Sequence, residues 1–190
     1  KEDLRSLPTL SLVMPLDDWF GGGGQGIYIQ GKGVERAVST ELIYPDGRGG
    51  FQIDSAVEIQ GGSSTNRWKV DKLSMRLKFA EPYGPTKLDY ALFDDTPVDS
   101  FDTVVLDAMM NLSWFHPWAD QRPKAQYIRD QYVADLQNAM GGAAPHGQYV
   151  QLYLNGLYWG LYWLHERPDE SFASAYLGGD KEDYDVIKHT

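Results

Sequence analysis

Gln148-Tyr149-Val150-Gln151-Leu152-Tyr153-Leu154-Asn155-Gly156-Leu157-Tyr158-Trp159-Gly160-Leu161-Tyr162-Trp163-Leu164 consists of two apolar runs joined by an Asn-Gly pair. That pair is the strongest short-range hairpin signal, because a type I′ turn needs positive φ at both central residues. The stretch predicts strands over 148–154 and 157–164. Strict alternation along the second strand places Tyr158, Gly160 and Tyr162 on one face and Trp159 and Trp163 on the other. Such a ring stripe suits a carbohydrate platform or, more simply, a core ladder covered by another body of protein.

A second hairpin is expected upstream, from Arg36–Tyr44 and Phe51–Gln60 around Pro45-Asp46-Gly47-Arg48-Gly49-Gly50. Proline there pre-sets φ, and the glycines supply the left-handed conformations. Leu73–Phe79 alternates apolar and polar residues and predicts another strand. Thr9–Met14, bounded by Pro8 and Pro15, predicts a short one. Gly21–Gly24 reads as a joint, Ile27–Ile29 as a brief extended stretch, and Thr103–Leu106 as a short buried strand or the start of a helix. The strongest helix is expected over Lys124–Met140. Ile128, Tyr132, Leu136 and Met140 recur there at four-residue spacing, Val133 and Ala139 widen the stripe, and Gly141-Gly142 ends it. Pro168 opens a short helix closed by Gly178-Gly179, and Tyr184–Lys188 is strand-like. The order predicts an α+β fold with a largely antiparallel sheet and one long helix. It forms a single unit over 1–190, within which 1–34 is a leading strand and Gly-rich segment.

Composition narrows the functions. The net charge of −10 argues against nucleic acid or an anionic membrane as the main partner. With no cysteine, disulfides and thiolate metal sites are excluded. No apolar run approaches the roughly 20 residues of a membrane-spanning helix. His116, His146, His165 and His189 are scattered without metal-ligand spacing, so no metal site is expected.

Several segments, in order, resemble one family. The hairpin followed by Glu166 is similar to the "V-x-L-N-G-x-Y-x-G-x-Y…E" hairpin of the CotH kinase-like proteins. Ile59-Gln60-Gly61-Gly62-Ser63-Ser64 resembles their "I-R-G-x-S-S" segment, with Gln60 in place of the usual Arg. Lys72-Leu73-Ser74-Met75-Arg76-Leu77 resembles their "K-x-S-[aromatic]-R-[aliphatic]" strand, with Met75 in place of the aromatic. Ile128-Arg129-Asp130 and Gly178–Asp185 fit two further positions. The resemblance implies the amino-terminal lobe of an atypical, exported bacterial protein kinase. Such a protein binds ATP with Mg²⁺ or Mn²⁺ and phosphorylates Ser or Thr of a protein substrate. It also implies that the catalytic and metal-binding acids lie in a carboxy-terminal lobe beyond Thr190. The chain is then a fragment, inactive alone and with that lobe as its partner. No catalytic residue is expected within the segment. The rival expectation is a non-catalytic exported scaffold or surface-binding module.

Phosphoryl transfer rests on positioning and charge neutralisation. Lys72 is the candidate phosphate lysine, and Gly61, Gly62, Ser63 and Ser64 the candidate phosphate cradle. The simpler reading is a polar loop with a solvated lysine. Asp135 or Asp130 on the long helix is the candidate partner of Lys72, against solvated helix-face charge. Glu166 is a candidate contact for adenine or ribose, against an acidic helix start better suited to Asp169 and Glu170.

Overall fold

The structure, a computed structural model, describes residues 3–65 and 69–187, with Ser63 described only along its backbone. Asn66, His189 and the end of the strand-like run at Lys188 lie outside the described residues. Among the described residues nine strands form: β1 Thr9–Val13, β2 Arg36–Ile43, β3 Phe51–Gln60, β4 Ser74–Lys78, β5 Leu88–Asp89, β6 Ser100–Phe101, β7 Thr103–Asp107, β8 Gly147–Leu154 and β9 Leu157–Glu166. Four α-helices accompany them: α1 Leu16–Phe20, α2 Ile27–Gln30, α3 Arg129–Ala139 and α4 Glu170–Leu177.

Seven strands close into a barrel in the order β1-β2-β3-β4-β7-β9-β8, while β5 and β6 make a separate two-stranded ribbon. Every neighbouring pair around the barrel is antiparallel except β1 and β8, which run parallel with Leu10 opposite Leu152 and Leu12 opposite Leu154. Inward side chains fill the interior. Leu10, Leu12, Val38, Leu42, Val57, Ile59, Met75, Leu77, Leu106, Val150, Leu152 and Tyr162 are all buried in one cluster. Thr40 and Ser55 are buried too, and their hydroxyls satisfy each other at 3.0 Å.

This corrects the expected fold. The chain does not form a kinase-like amino-terminal lobe with one long helix; it forms a mixed, closed β-barrel. The closing contact joins residues about 140 apart, and nothing local in either strand announces a parallel partner. The expected 124–140 helix is also cut down. Arg122–Lys124 is a 3-10 turn, and α3 keeps only 11 residues. Ile27–Gln30 is a helical turn rather than an extended stretch, because Gly26 and Gly31 bracket it and both Ile27 and Tyr28 turn into the core. Thr103–Leu106 resolves as strand β7, and the described part of 184–188 is not a strand.

The Asn155-Gly156 turn does more than reverse the chain. Both residues have positive φ, 49° and 80°, as the sequence requires. Asn155 Oδ1 accepts from the Met14 N–H at 3.1 Å and from Trp19 Nε1 at 3.3 Å, and its Nδ2 donates to the Met14 carbonyl at 2.9 Å. The turn thus fastens the end of β8 to the segment leaving β1. Trp19, Phe20, Tyr28 and Trp159 pack ring against ring beside it, with Trp159 Nε1 donating to the Tyr28 hydroxyl at 2.6 Å.

Trp159 reaches that cluster through a bulge. Leu152 pairs with Gly160 and Tyr153 with Tyr158, so Trp159 is the extra residue on β9. The bulge shifts the phase of the strand. Trp159 packs on the core side together with Tyr162, while Tyr158 is half-exposed against Tyr153 and Gln151. The simple alternation expected for the rings therefore fails at the bulge. Trp163 faces outward into a second small cluster with Met109, Leu112, Tyr127 and Tyr149.

Candidate functional site: a lysine held against the barrel wall

Lys72 precedes β4 and sends its side chain across the barrel wall toward β9. Its ammonium donates to the Leu161 carbonyl, to the Tyr127 hydroxyl at 2.8 Å and, more weakly, to the Ala108 carbonyl at 3.4 Å. Tyr127 in turn donates to the Leu161 carbonyl at 2.6 Å. Rings surround the cation, with centroids of Tyr162, Tyr127 and Phe115 at 4.3, 5.4 and 5.5 Å from Nζ. Among the described residues no carboxylate makes an ion pair with it. Burial disfavours the charged form and lowers the pKa from 10.5 to about 8, with the Asp107 carboxylate opposing the fall. Asp107 is fixed by the Ser74 hydroxyl at 3.1 Å and the Met109 N–H at 2.6 Å.

The β9 backbone makes this pocket possible. Gly160 has φ of +128°, a conformation side-chain-bearing residues rarely adopt. A Cβ there would lie 3.3 Å from Lys72 Cε and 3.7 Å from Nζ. Gly160→Ala is therefore expected to displace Lys72 and to cost on the order of 2 kcal/mol of stability. Urea unfolding checks the stability. Slower or faster modification of Lys72 by an amine-specific reagent, followed by peptide mass analysis, checks the displacement.

The other sequence-derived candidates are dispersed. Gly61 has φ of +132°, and Ser63–Thr65 closes as a 3-10 turn in which Thr65 Oγ1 donates to the Gly62 carbonyl at 2.9 Å. None of the hydrogen bonds of Lys72 among the described residues runs to Gly61, Gly62, Ser63 or Ser64. Asp135 accepts from Gln131 at 2.5 Å on α3. Asp130 is partly desolvated, which raises its pKa, as does Asp107, while Arg129 opposes the rise. Neither aspartate is a contact of Lys72; the group beside α3 that meets the lysine is the neutral Tyr127.

Glu166 stands five residues beyond Leu161 on β9, roughly 16 Å along an extended strand. Its carboxylate is buried and accepts from the His146 N–H at 2.9 Å, from His146 Nδ1 at 3.0 Å and from the Tyr176 hydroxyl at 2.9 Å. That network binds α4 to the barrel. Glu166 also borders a cleft of about 350 Å³ with Lys87, Asp102, Arg167 and Lys181. Asp169, not Glu166, caps α4, accepting from the Phe172 N–H at 3.3 Å.

Sequence reasoning singled out Lys72 as a candidate and did not name Tyr127, Asp107, Ala108 or Leu161, which surround it. One signal was available. An isolated glycine inside an apolar strand marks a bulge or a close approach, and Gly160 sits next to the Trp159 bulge and close to Lys72.

No match to the chain is found among curated proteins. The family model described as CotH kinase protein matches residues 57–190, well over half of the sequence and all of the Lys72, Gly160 and Glu166 surroundings. The chain belongs to the CotH kinase protein family.

Proposed function

We propose that this chain supplies the ATP-binding part of a kinase-like protein, with Lys72 as its phosphate-binding cation. The observation that carries the reading is a largely buried ammonium, held by neutral oxygens, with no ion-paired carboxylate among the described residues. A desolvated charge without a counterion gains strongly from an incoming anion. Phosphate oxygens would replace the carbonyl and hydroxyl acceptors, and the Gly61–Ser64 turn is a candidate second contact. Lys72 supplies one positive charge toward the triphosphate. Among the described residues no group of three or more His, Cys, Asp or Glu is placed to hold a metal ion, so the reading assigns Mg²⁺ or Mn²⁺ to none of them. Export to a bacterial surface, a Ser or Thr acceptor on a protein, and catalytic acids from a further part of the protein rest on the family alone. Among the described residues no helix is long and apolar enough to cross a membrane.

One observation favours a second reading, a non-catalytic scaffold. The three donors of the ammonium already have internal acceptors, as a purely structural lysine would. Calorimetry with ATP and Mn²⁺ on the full-length protein separates the two. Lys72→Ala is expected to weaken binding at least about 10-fold, the worth of one charge-assisted contact. Equal binding by wild type and variant would remove Lys72 from the phosphate. Absence of binding by both would leave the scaffold.

A further inference from the structure

α3 is turned inside out. Successive helical positions rotate by about 100°, so Ile128, Tyr132, Leu136 and Met140 form one continuous row with Val133 at its border. This row faces away from the barrel: the five residues are 64, 63, 48, 73 and 54% exposed, in that order. The face that meets the barrel is polar apart from the buried Ala134. Gln131 accepts from Trp163 Nε1, and Asn138 exchanges hydrogen bonds with the Ala144 backbone at 2.8 and 3.1 Å and meets His146 Nε2 at 3.2 Å. A helix normally buries its apolar stripe. Here hydrogen bonds fix the helix and the stripe is presented outward.

The border of the stripe has a definite charge. Asp135 lies between the barrel-facing side of α3 and the apolar row, and lines a cleft of about 340 Å³ with Asp95, His146 and Asp94, the last of which already pairs with Arg48 at 3.5 Å. α3 itself carries a single cation, Arg129. A second copy of this chain, with net charge −10 and the same acidic border, would bring carboxylates against carboxylates. The complementary occupant has an apolar row edged by Lys or Arg.

We propose that α3 and the Asp94–Asp95–Asp135 cleft form a docking surface for a basic amphipathic segment of a partner protein, helix against helix. Apolar side chains of the partner cover Tyr132, Leu136 and Met140, and its cationic edge enters the cleft. The proposal is independent of nucleotide binding.

The test uses the full-length protein and two labelled synthetic helical peptides, one of Leu and Lys, the other with Glu at every Lys position, read by fluorescence anisotropy. The Lys peptide is expected to bind at micromolar concentrations and to weaken with added salt. Leu136→Asp and the double change Asp95→Lys with Asp135→Lys are each expected to weaken it about 10-fold or more. Asp17→Lys is expected to leave it unchanged, since Asp17 lies in α1 beside the Asn155 turn, at the other end of β8 from His146. Binding of both peptides alike, an equal loss in Asp17→Lys, or no binding of either peptide would overturn the proposal. So would sedimentation showing a dimer that Leu136→Asp dissolves, which would assign the stripe to a second copy. A loss of stability in Leu136→Asp with no peptide binding would assign it to the remainder of the same protein.

Discussion

Asn155→Ala is expected to lower the unfolding free energy by about 3–4 kcal/mol, a large effect for one polar residue at a turn. Two costs add. Alanine is strained at a φ of 49°, which asparagine tolerates, by about 1 kcal/mol. The change also removes the acceptor for the Met14 N–H and Trp19 Nε1 and the donor for the Met14 carbonyl. Part-buried groups that lose their partners cost on the order of 1 kcal/mol each. Asn155→Gly separates the costs, because glycine keeps the turn and loses only the side-chain bonds. Urea denaturation of the three proteins reads the difference directly, with glycine expected between the other two. If glycine matched wild type, the link from the turn to β1 would carry no stability.

The affinity for ATP is expected to fall roughly 20-fold between pH 7.5 and pH 9.5, as Lys72 loses its proton with a pKa of about 8. Burial lowers that pKa, and a bound triphosphate raises it again by supplying negative charge. Binding therefore carries a proton requirement that grows above about pH 8. Lys72→Arg, charged throughout this range, is expected to give a flat profile. The same depression has a consequence for the protein without ligand. Between about pH 8 and 10.5 the unfolded chain holds a proton on Lys72 that the folded chain does not. The contribution of this group to stability therefore rises with pH across that window and is least favourable below it. Calorimetry at a series of pH values checks the first statement, and urea midpoints of wild type against Lys72→Met check the second. A wild-type binding profile as flat as that of the arginine variant would sink the phosphate role.

Much of the strand order was legible because its signals are local. Asn155-Gly156 and Pro45–Gly50 fixed two hairpins, and alternation in Leu73–Phe79 fixed β4 and its inward Met75 and Leu77. Closure was not legible. The parallel pairing of β1 with β8 is decided by the fit of Leu10, Leu12, Leu152 and Leu154 inside a finished barrel. Periodicity gave the helix and its apolar row but not which face of α3 meets the barrel. A hydrophobic row shows that a helix has two faces, and Gln131 and Asn138 decided which one met the barrel. Of the candidate site, the sequence singled out only Lys72. Two of its acceptors are backbone carbonyls, of Leu161 and Ala108; the first follows the Trp159 bulge and the positive φ of Gly160, and a sequence displays neither carbonyl directions nor bulges.

The β1–β8 seam also sets a timetable. On the ribosome β1 is made first, yet its partner Gly147–Leu154 emerges more than a hundred residues later. Until then Leu10 and Leu12 can pair with β2 on one side only, and the other side is a bare, apolar strand edge. Loop closure over such a separation is slow, so the nascent chain has a long interval in which that edge is open to wrong partners. The family match starts at residue 57, within β3, so a piece cut there lacks β1, β2 and more than half of β3. Such a piece keeps every residue of the lysine pocket and has no way to shut the barrel behind it.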